Sequence, residues 1–162
     1  MKGDSEKDGL EPIRRSVTIR APRERAFRTF VEAMAEWWPR EYTWSVDELE
    51  RVIVEPRQGG RWYETRRDGG EEPWGTVLEW DPPERVAFSW QISPDRKPEP
   101  DTSRASEVDL RFLEDTPGET RVELTHDGFE RHGAGAHEYR AGMDSPQGWT
   151  AILERYVRAV EG

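Results

Sequence analysis

Cysteine is missing from all 162 positions, which removes disulfides, thiol nucleophiles and thiolate metal sites together. Long apolar runs are missing too: nothing approaches the ~20 residues that a membrane-spanning helix requires. The opening stretch MKGDSEKDGLEP lacks the apolar centre of a secretory leader. Positive charge is in deficit. A formal net charge of −10 repels phosphate backbones and anionic bilayers, which argues against nucleic-acid binding and membrane insertion. These absences together point to a cytoplasmic protein.

Hydrophobic content is only 33% and charged residues reach 36%, a balance that by itself would permit disorder. Eight Trp, four Tyr and five Phe contradict that, because disordered chains are poor in aromatics. The length suits one domain with a sizeable core. We read residues 1–12 as a disordered tail and 13–162 as a single domain.

Ser145 to Val160 predicts a long C-terminal helix. Ser145 is a capping hydroxyl and Pro146 occupies the first helical position, where its missing N–H costs nothing. Trp149, Ile152, Leu153, Tyr156, Val157 and Val160 then recur at helical spacing, opposite Glu154, Arg155, Arg158 and Glu161. Each buried side chain of this kind contributes roughly 1.5–3 kcal/mol. A helix of this length is marginal alone, so a concave partner must hold it. Near the N-terminus, Ile13–Arg20 alternates as a strand. Pro22 opens a helix carrying Ala26, Phe27, Phe30, Val31, Met34, Trp37 and Trp38, which Pro39 ends. Tyr42–Glu50 suits a second small helix anchored by Trp44.

The middle of the chain reads as hairpins. Turn chemistry at Pro56–Gly59, Asp68–Gly70, Asp81–Glu84 and Asp115–Gly118 separates strands in 51–55, 60–67, 74–80, 85–92, 106–114 and 120–127. Residues 93–104 form a flexible loop and Gly133–Ala136 a flexible approach to the last helix. Alternation defines one buried face: Val86, Phe88 and Trp90; Val108, Leu110 and Phe112; Val122, Leu124 and His126. Glu107, Asp109, Arg111, Arg121 and Glu123 face water. A one-faced antiparallel sheet meeting a one-faced helix is an α+β architecture.

The phrases APRERAFRTF…WWP, VEPRQGGRWYE…DGG, WGTVLEWDPPERVAFSWQ and VDLRF…GETRVELTHDGFE, followed by GWTAILERY, resemble in this order the START-like (SRPBCC) helix-grip superfamily. The branch is similar to the C-terminal domain of the activator of heat-shock-protein-90 ATPase, over residues 13 to 160. The resemblance implies a seven-stranded curved antiparallel sheet wrapped around the C-terminal helix, with one or two short helices after strand 1. It also implies a cavity that often takes apolar or aromatic small molecules. No single activity follows, since the superfamily includes lipid carriers, hormone receptors, polyketide cyclases and co-chaperone domains. A stand-alone bacterial member fits this length better than a two-domain eukaryotic activator.

Candidate ligand-binding residues are Trp62, Trp74, Phe88, Trp90, Phe112, His126, Trp149 and Tyr156. Aromatic walls with few polar groups suit an apolar pocket, and the same rings could equally fill the core. His126 points inward by parity; it could orient a ligand or act as a base, or be tied to a backbone group or to Asp127. Glu64 would be a general acid or base if buried, but is expected on the surface, paired with Arg66 or Arg85. His132 and His137, with Glu130 and Glu138 nearby, do not supply metal geometry across Gly-Ala-Gly-Ala. Gly59-Gly60 is a hairpin turn, with no following Lys-Ser/Thr to make a phosphate loop. Ser145, His126 and Asp144 lack the motifs of a hydrolase triad.

The sequence thus predicts a binding protein that holds an apolar or aromatic ligand between sheet and helix. No catalytic residue, metal or cofactor is assigned. Two alternatives remain: a co-chaperone-like module exposing Trp37, Trp38, Tyr42 and Trp44 to a protein partner, and a cyclase or hydrolase using His126 with an inward carboxylate such as Glu64.

Overall fold

Alternating apolar side chains form seven strands: β1 (Ile13–Ile19), β2 (Leu49–Val54), β3 (Arg61–Arg66), β4 (Glu71–Asp81), β5 (Arg85–Trp90), β6 (Ser106–Thr116) and β7 (Glu119–Asp127). They make one antiparallel sheet in the order β1-β7-β6-β5-β4-β3-β2. This is a computed structural model, and it describes residues 10–162. Of the predicted tail, residues 1–9 lie outside the described residues. Leu10 packs against the core, and Arg140 donates to the carbonyls of Glu11 and Pro12.

Register aligns the inner face in rows. Phe88 pairs Val108, which pairs His126; Val86 pairs Leu110, which pairs Leu124. All nine residues predicted for this face are buried. The outer face carries ion pairs such as Arg85–Asp109 (2.6 Å) and Arg131–Glu107 (2.9 Å). Because they are partly or fully solvated, such pairs contribute little to stability.

The first helical region is broken rather than continuous. Helix α1 (Arg23–Glu32) ends at Ala33, whose φ is −122°, and α2 (Met34–Trp37) follows as a separate turn. Residues 40–42 and 46–48 are 3-10 turns, in place of the small helix expected there. The predicted flexible approach at 133–136 leads into a helix, α3 (Ala136–Met143), entered through Gly133 and Gly135 at positive φ. The C-terminal helix α4 (Ala151–Glu161) starts six residues later than Ser145 suggests. The cause is Gly148, non-helical at φ −88°, ψ −126°, where a Cβ would sit 2.1 Å from the Met143 carbonyl oxygen. The long 93–104 loop contains a tight hairpin closed by the Ile92–Pro98 bridge and a 3-10 turn at Thr102–Arg104.

Between sheet and α4 the space is filled by rings. Phe30 meets Trp37 at 5.1 Å and Tyr156 at 5.2 Å, and Trp62 meets Phe88 at 4.3 Å between centroids. The Tyr156 hydroxyl donates to the Ala26 carbonyl at 2.6 Å, pinning α4 to α1. Empty space is left at the other end of the molecule, where α4 begins. Among the described residues no helix is long and apolar enough to cross a membrane.

Candidate functional site

The space beyond the packed core is a cleft of about 590 Å³, within the range of small-molecule sites. The sheet contributes Trp74 from β4 and Trp90 from β5. Trp38 closes one side, and Tyr42, Thr43 and Trp44 continue it. Tyr139 and Met143 of α3 lie across the opening, and Gly148 and Ile152 bring in the start of α4. The break at Gly148 therefore does local work: it turns the chain so that α3 and α4 both border the cleft. Trp38 packs on Trp74 at 5.0 Å and near Trp90 at 6.2 Å, so the wall is a set of mutually braced indoles.

Almost every polar atom of this wall is turned into the protein. Trp74 donates to Glu64 (2.7 Å), Trp44 to the Pro73 carbonyl (2.9 Å) and Trp90 to the Tyr139 hydroxyl (2.5 Å). Tyr139 in turn donates to the Ile92 carbonyl (2.8 Å), and Tyr42 to the Gln147 carbonyl (2.9 Å). Burial pushes the Tyr139 phenol up, against the Trp90 hydrogen bond and the charge of Arg96. The Trp38 Nε1–H has no partner among the described residues. What remains for a ligand is mostly π surface.

Glu64 is not the surface residue expected from its neighbours. It is fully buried and accepts the backbone N–H groups of Trp44 (2.9 Å) and Ser45 (2.7 Å) besides the Trp74 indole. Its proposed partners are engaged elsewhere, Arg66 with Glu72 (2.7 Å) and Arg85 with Asp109. The reason is parity: Trp62 and Glu64 face inward on β3, while Tyr63 faces outward under the Arg61 guanidinium. Three N–H donors satisfy a carboxylate that would otherwise be costly to bury. By this means Glu64 ties the Thr43–Ser45 loop to the cleft wall.

His126 does point inward, but it is tied to neither Asp127 nor the backbone. The Trp149 Nε1–H donates to His126 Nδ1 (3.0 Å), and His126 Nε2 lies 2.8 Å from Ser106 Oγ. Ser106 Oγ is also 2.8 Å from His132 Nε2. An indole nitrogen can only donate, so the direction of the whole chain follows: Trp149 to His126, His126 Nε2–H to Ser106, Ser106 O–H to His132. Both histidines are neutral here. Burial pushes His126 well below its ordinary value, helped by His132, and pushes His132 down to about 4. His126 and Glu64 thus have separate sets of partners and are not assembled as an acid–base pair. Asp144 pairs with Arg15 (2.8 Å) and Ser145 donates to the Gly142 carbonyl (2.6 Å), so neither joins His126. Among the described residues no three potential ligands cluster for a metal ion.

Of the eight residues singled out from sequence, Trp74 and Trp90 line the cleft. His126 and Trp149 stand behind Trp90, at 5.3 and 5.7 Å between ring centroids. Trp62, Phe88, Phe112 and Tyr156 lie in the packed core. Sequence reasoning did not place Trp38, Trp44 and Tyr139 in the site. The sequence marks the first two as apolar anchors, and only the co-chaperone alternative requires them on an exposed patch. Instead Trp37 and Trp38 are each 2% exposed, and the one exposed large hydrophobic side chain among the described residues is Val46. Tyr139 carries no such mark, because its helix lies behind the glycine-rich stretch Gly133–Gly135.

Comparisons with known proteins agree with this architecture. The family model described as Activator of Hsp90 ATPase homolog 1-like protein matches residues 20–161. An anthrahydroquino-gamma-pyrone synthase, Txn09, is similar at 37% identity and a TM-score of 0.66, over 93% of this chain and 97% of that one. CalC, a self-sacrificing resistance protein from Micromonospora echinospora, is similar at 31% identity and a TM-score of 0.68, over 95% of each chain. Protein MLL2253 from Mesorhizobium loti shares the fold at 19% identity and a TM-score of 0.63, over 91% of this chain and 95% of that one. No curated protein matches.

Proposed function

This chain belongs to the Activator of Hsp90 ATPase homolog 1-like family, and we propose that it is a binding protein for a small, flat aromatic molecule. The observation that carries the reading is the cleft of Trp38, Trp44, Trp74 and Trp90, in which three of the four indole N–H groups are engaged within the protein. Such a surface gains from burial and ring packing rather than from interior hydrogen bonds, with each aromatic pair contributing about 0.5–1.5 kcal/mol beyond area burial. Similarity to Txn09, named as an anthrahydroquino-gamma-pyrone synthase, supports a polycyclic aromatic ligand. The mechanism is exclusion of water, with the braced indoles already in place before the ligand arrives.

Tryptophan fluorescence and thermal unfolding, followed during titration with flat polycyclic quinones and with saturated fatty acids as a contrast, test this reading. Quenching together with a rise in Tm for the quinones is expected; ligand at 100 times its Kd stabilises by ~2.7 kcal/mol. Absence of both signals for every flat compound overturns it.

The 37% identity to a synthase favours a second reading, in which the cleft also promotes ring closure of its ligand. With His126 and Glu64 held by other partners, that chemistry would rely on folding the substrate against the indole wall. Conversion of a ring-open aromatic precursor, followed by mass and absorbance, separates this from binding alone. A co-chaperone role has less support, since Trp37 and Trp38 are inside the molecule.

A further inference from the structure

We infer that Arg96 selects acidic aromatic ligands over neutral ones in this cleft. The inference rests on the binding reading above and gives that site its ligand class.

Arg96 lines the cleft from the 93–97 hairpin, on the side facing α3. The interior polar atoms of Trp44, Trp74, Trp90 and Tyr139 already bond within the protein. The charged side chains bordering the cleft are Arg96 and Glu138, both exposed. A ligand therefore meets its ionic contacts at the mouth and its apolar contacts inside. Unlike Lys97, which pairs with Asp95, Arg96 makes no side-chain hydrogen bond or ion pair with any described residue. Its guanidinium is available to a ligand.

The position of Arg96 is built rather than incidental. Its backbone has φ +64°, and Val46 is the one other non-glycine residue with positive φ among those described. The conformation is held by its own N–H to the Ser93 carbonyl (2.9 Å), by Ser93 N–H to the Lys97 carbonyl (2.8 Å) and by the Ile92–Pro98 bridge. A non-glycine residue in this region persists only when its surroundings determine it. Arg96 and the half-buried Tyr139 line the same cleft, and the Arg96 charge is the smallest of the named influences on the Tyr139 hydroxyl. Glu138 borders the same cleft but is not among the charges that act on the Tyr139 hydroxyl. A guanidinium donates to a carboxylate, sulfonate or phenolate through a planar fork. The fitting ligand is therefore a polycyclic aromatic body with an acidic group at one end.

The test compares anthraquinone-2-sulfonate with the neutral 2-(hydroxymethyl)anthraquinone by fluorescence titration of the wild-type protein and of Arg96→Gln. The wild type is expected to bind the anion about three- to fivefold more tightly, a preference that shrinks with added salt. Arg96→Gln is expected to remove that preference and to leave the neutral probe within about twofold, as befits an exposed rim charge. Equal wild-type affinity for the two probes, or equal loss of both in Arg96→Gln, overturns the inference while leaving the cleft as a binding site. Failure of both probes to bind the wild type overturns the binding reading, and this inference with it.

Discussion

The indole of Trp149 donates its N–H to Nδ1 of His126 across 3.0 Å, joining the turn before α4 to the last strand. Because the indole cannot accept, this one bond fixes the tautomer of His126 with its proton on Nε2. It also sets the direction of the hydrogen bonds through Ser106 to His132. The bond lies behind Trp90, so the cleft wall rests on a polar network that works only when both histidines are neutral.

Acid is expected to loosen this network. His126 and His132 are both depressed in the folded protein, His132 to about 4 from 6.5, chiefly by burial. Above pH ~6.5 these groups are neutral in both folded and unfolded chains and their contribution is fully present. As pH falls from there toward 4, the unfolded chain takes up protons that the folded one refuses, and stability declines. Each unit of depression corresponds to about 1.4 kcal/mol at most. A Tm that is flat from pH 8 to 6.5 and falls steadily below it bears this out; a Tm unchanged down to pH 4.5 contradicts it.

Trp149→Phe keeps most of the packed ring and removes the donor. The expected loss is about 1–3 kcal/mol, the cost of leaving a buried acceptor unmatched. Long-range proton–nitrogen correlations of His126 should show the single Nε2–H tautomer in the wild type. A mixture of tautomers there would refute the assigned direction.

Replacing Glu64 tests a different joint. The carboxylate binds Trp44, Ser45 and Trp74 at once, and Gln offers one acceptor oxygen where two are used. Glu64→Gln is expected to destabilise by about 1–3 kcal/mol and to change the near-ultraviolet dichroism of the indoles. A variant as stable as wild type, with an unaltered spectrum, would show that the loop is held by other contacts.

Gly148→Ala should prove unusually damaging for so small a change. The added Cβ would lie 2.1 Å from the Met143 carbonyl oxygen and near the Gly142 carbonyl, both backbone atoms that cannot step aside. A drop in Tm is expected, with quinone affinity falling further because α3 and α4 both border the cleft. Gly142→Ala, where a Cβ meets nothing within 4 Å, is the control for stability and should leave Tm nearly unchanged.

Period-two alternation made most of the sheet readable. Nine inner-face residues on β5, β6 and β7 are where their parity places them, because a strand has only two faces. The C-terminal stripe likewise identified Ile152, Leu153, Tyr156 and Val160 as the buried side of α4. The cleft was harder to read, since it is made by departures from regular pattern. Gly148 breaks the helix that the Ser145-Pro146 start signal predicts, and α3 has weak amphipathic character behind a glycine-rich entrance. The burial of Glu64 is not legible locally, because its three partners come from Trp44, Ser45 and Trp74, up to 20 residues away. Nothing local marks a carboxylate for burial.

The most direct test of the cleft as a binding site is the indole region of a proton–nitrogen spectrum, where each of the eight tryptophans gives its own N–H signal. On titration with anthraquinone-2-sulfonate, the signals of Trp38, Trp44, Trp74 and Trp90 are expected to shift together and saturate. Those of Trp62 and Trp80, which lie outside the cleft lining, are expected to stay. Saturable shifts confined to Trp62 and Trp80, or no shift at any indole, would contradict the assignment of this cleft.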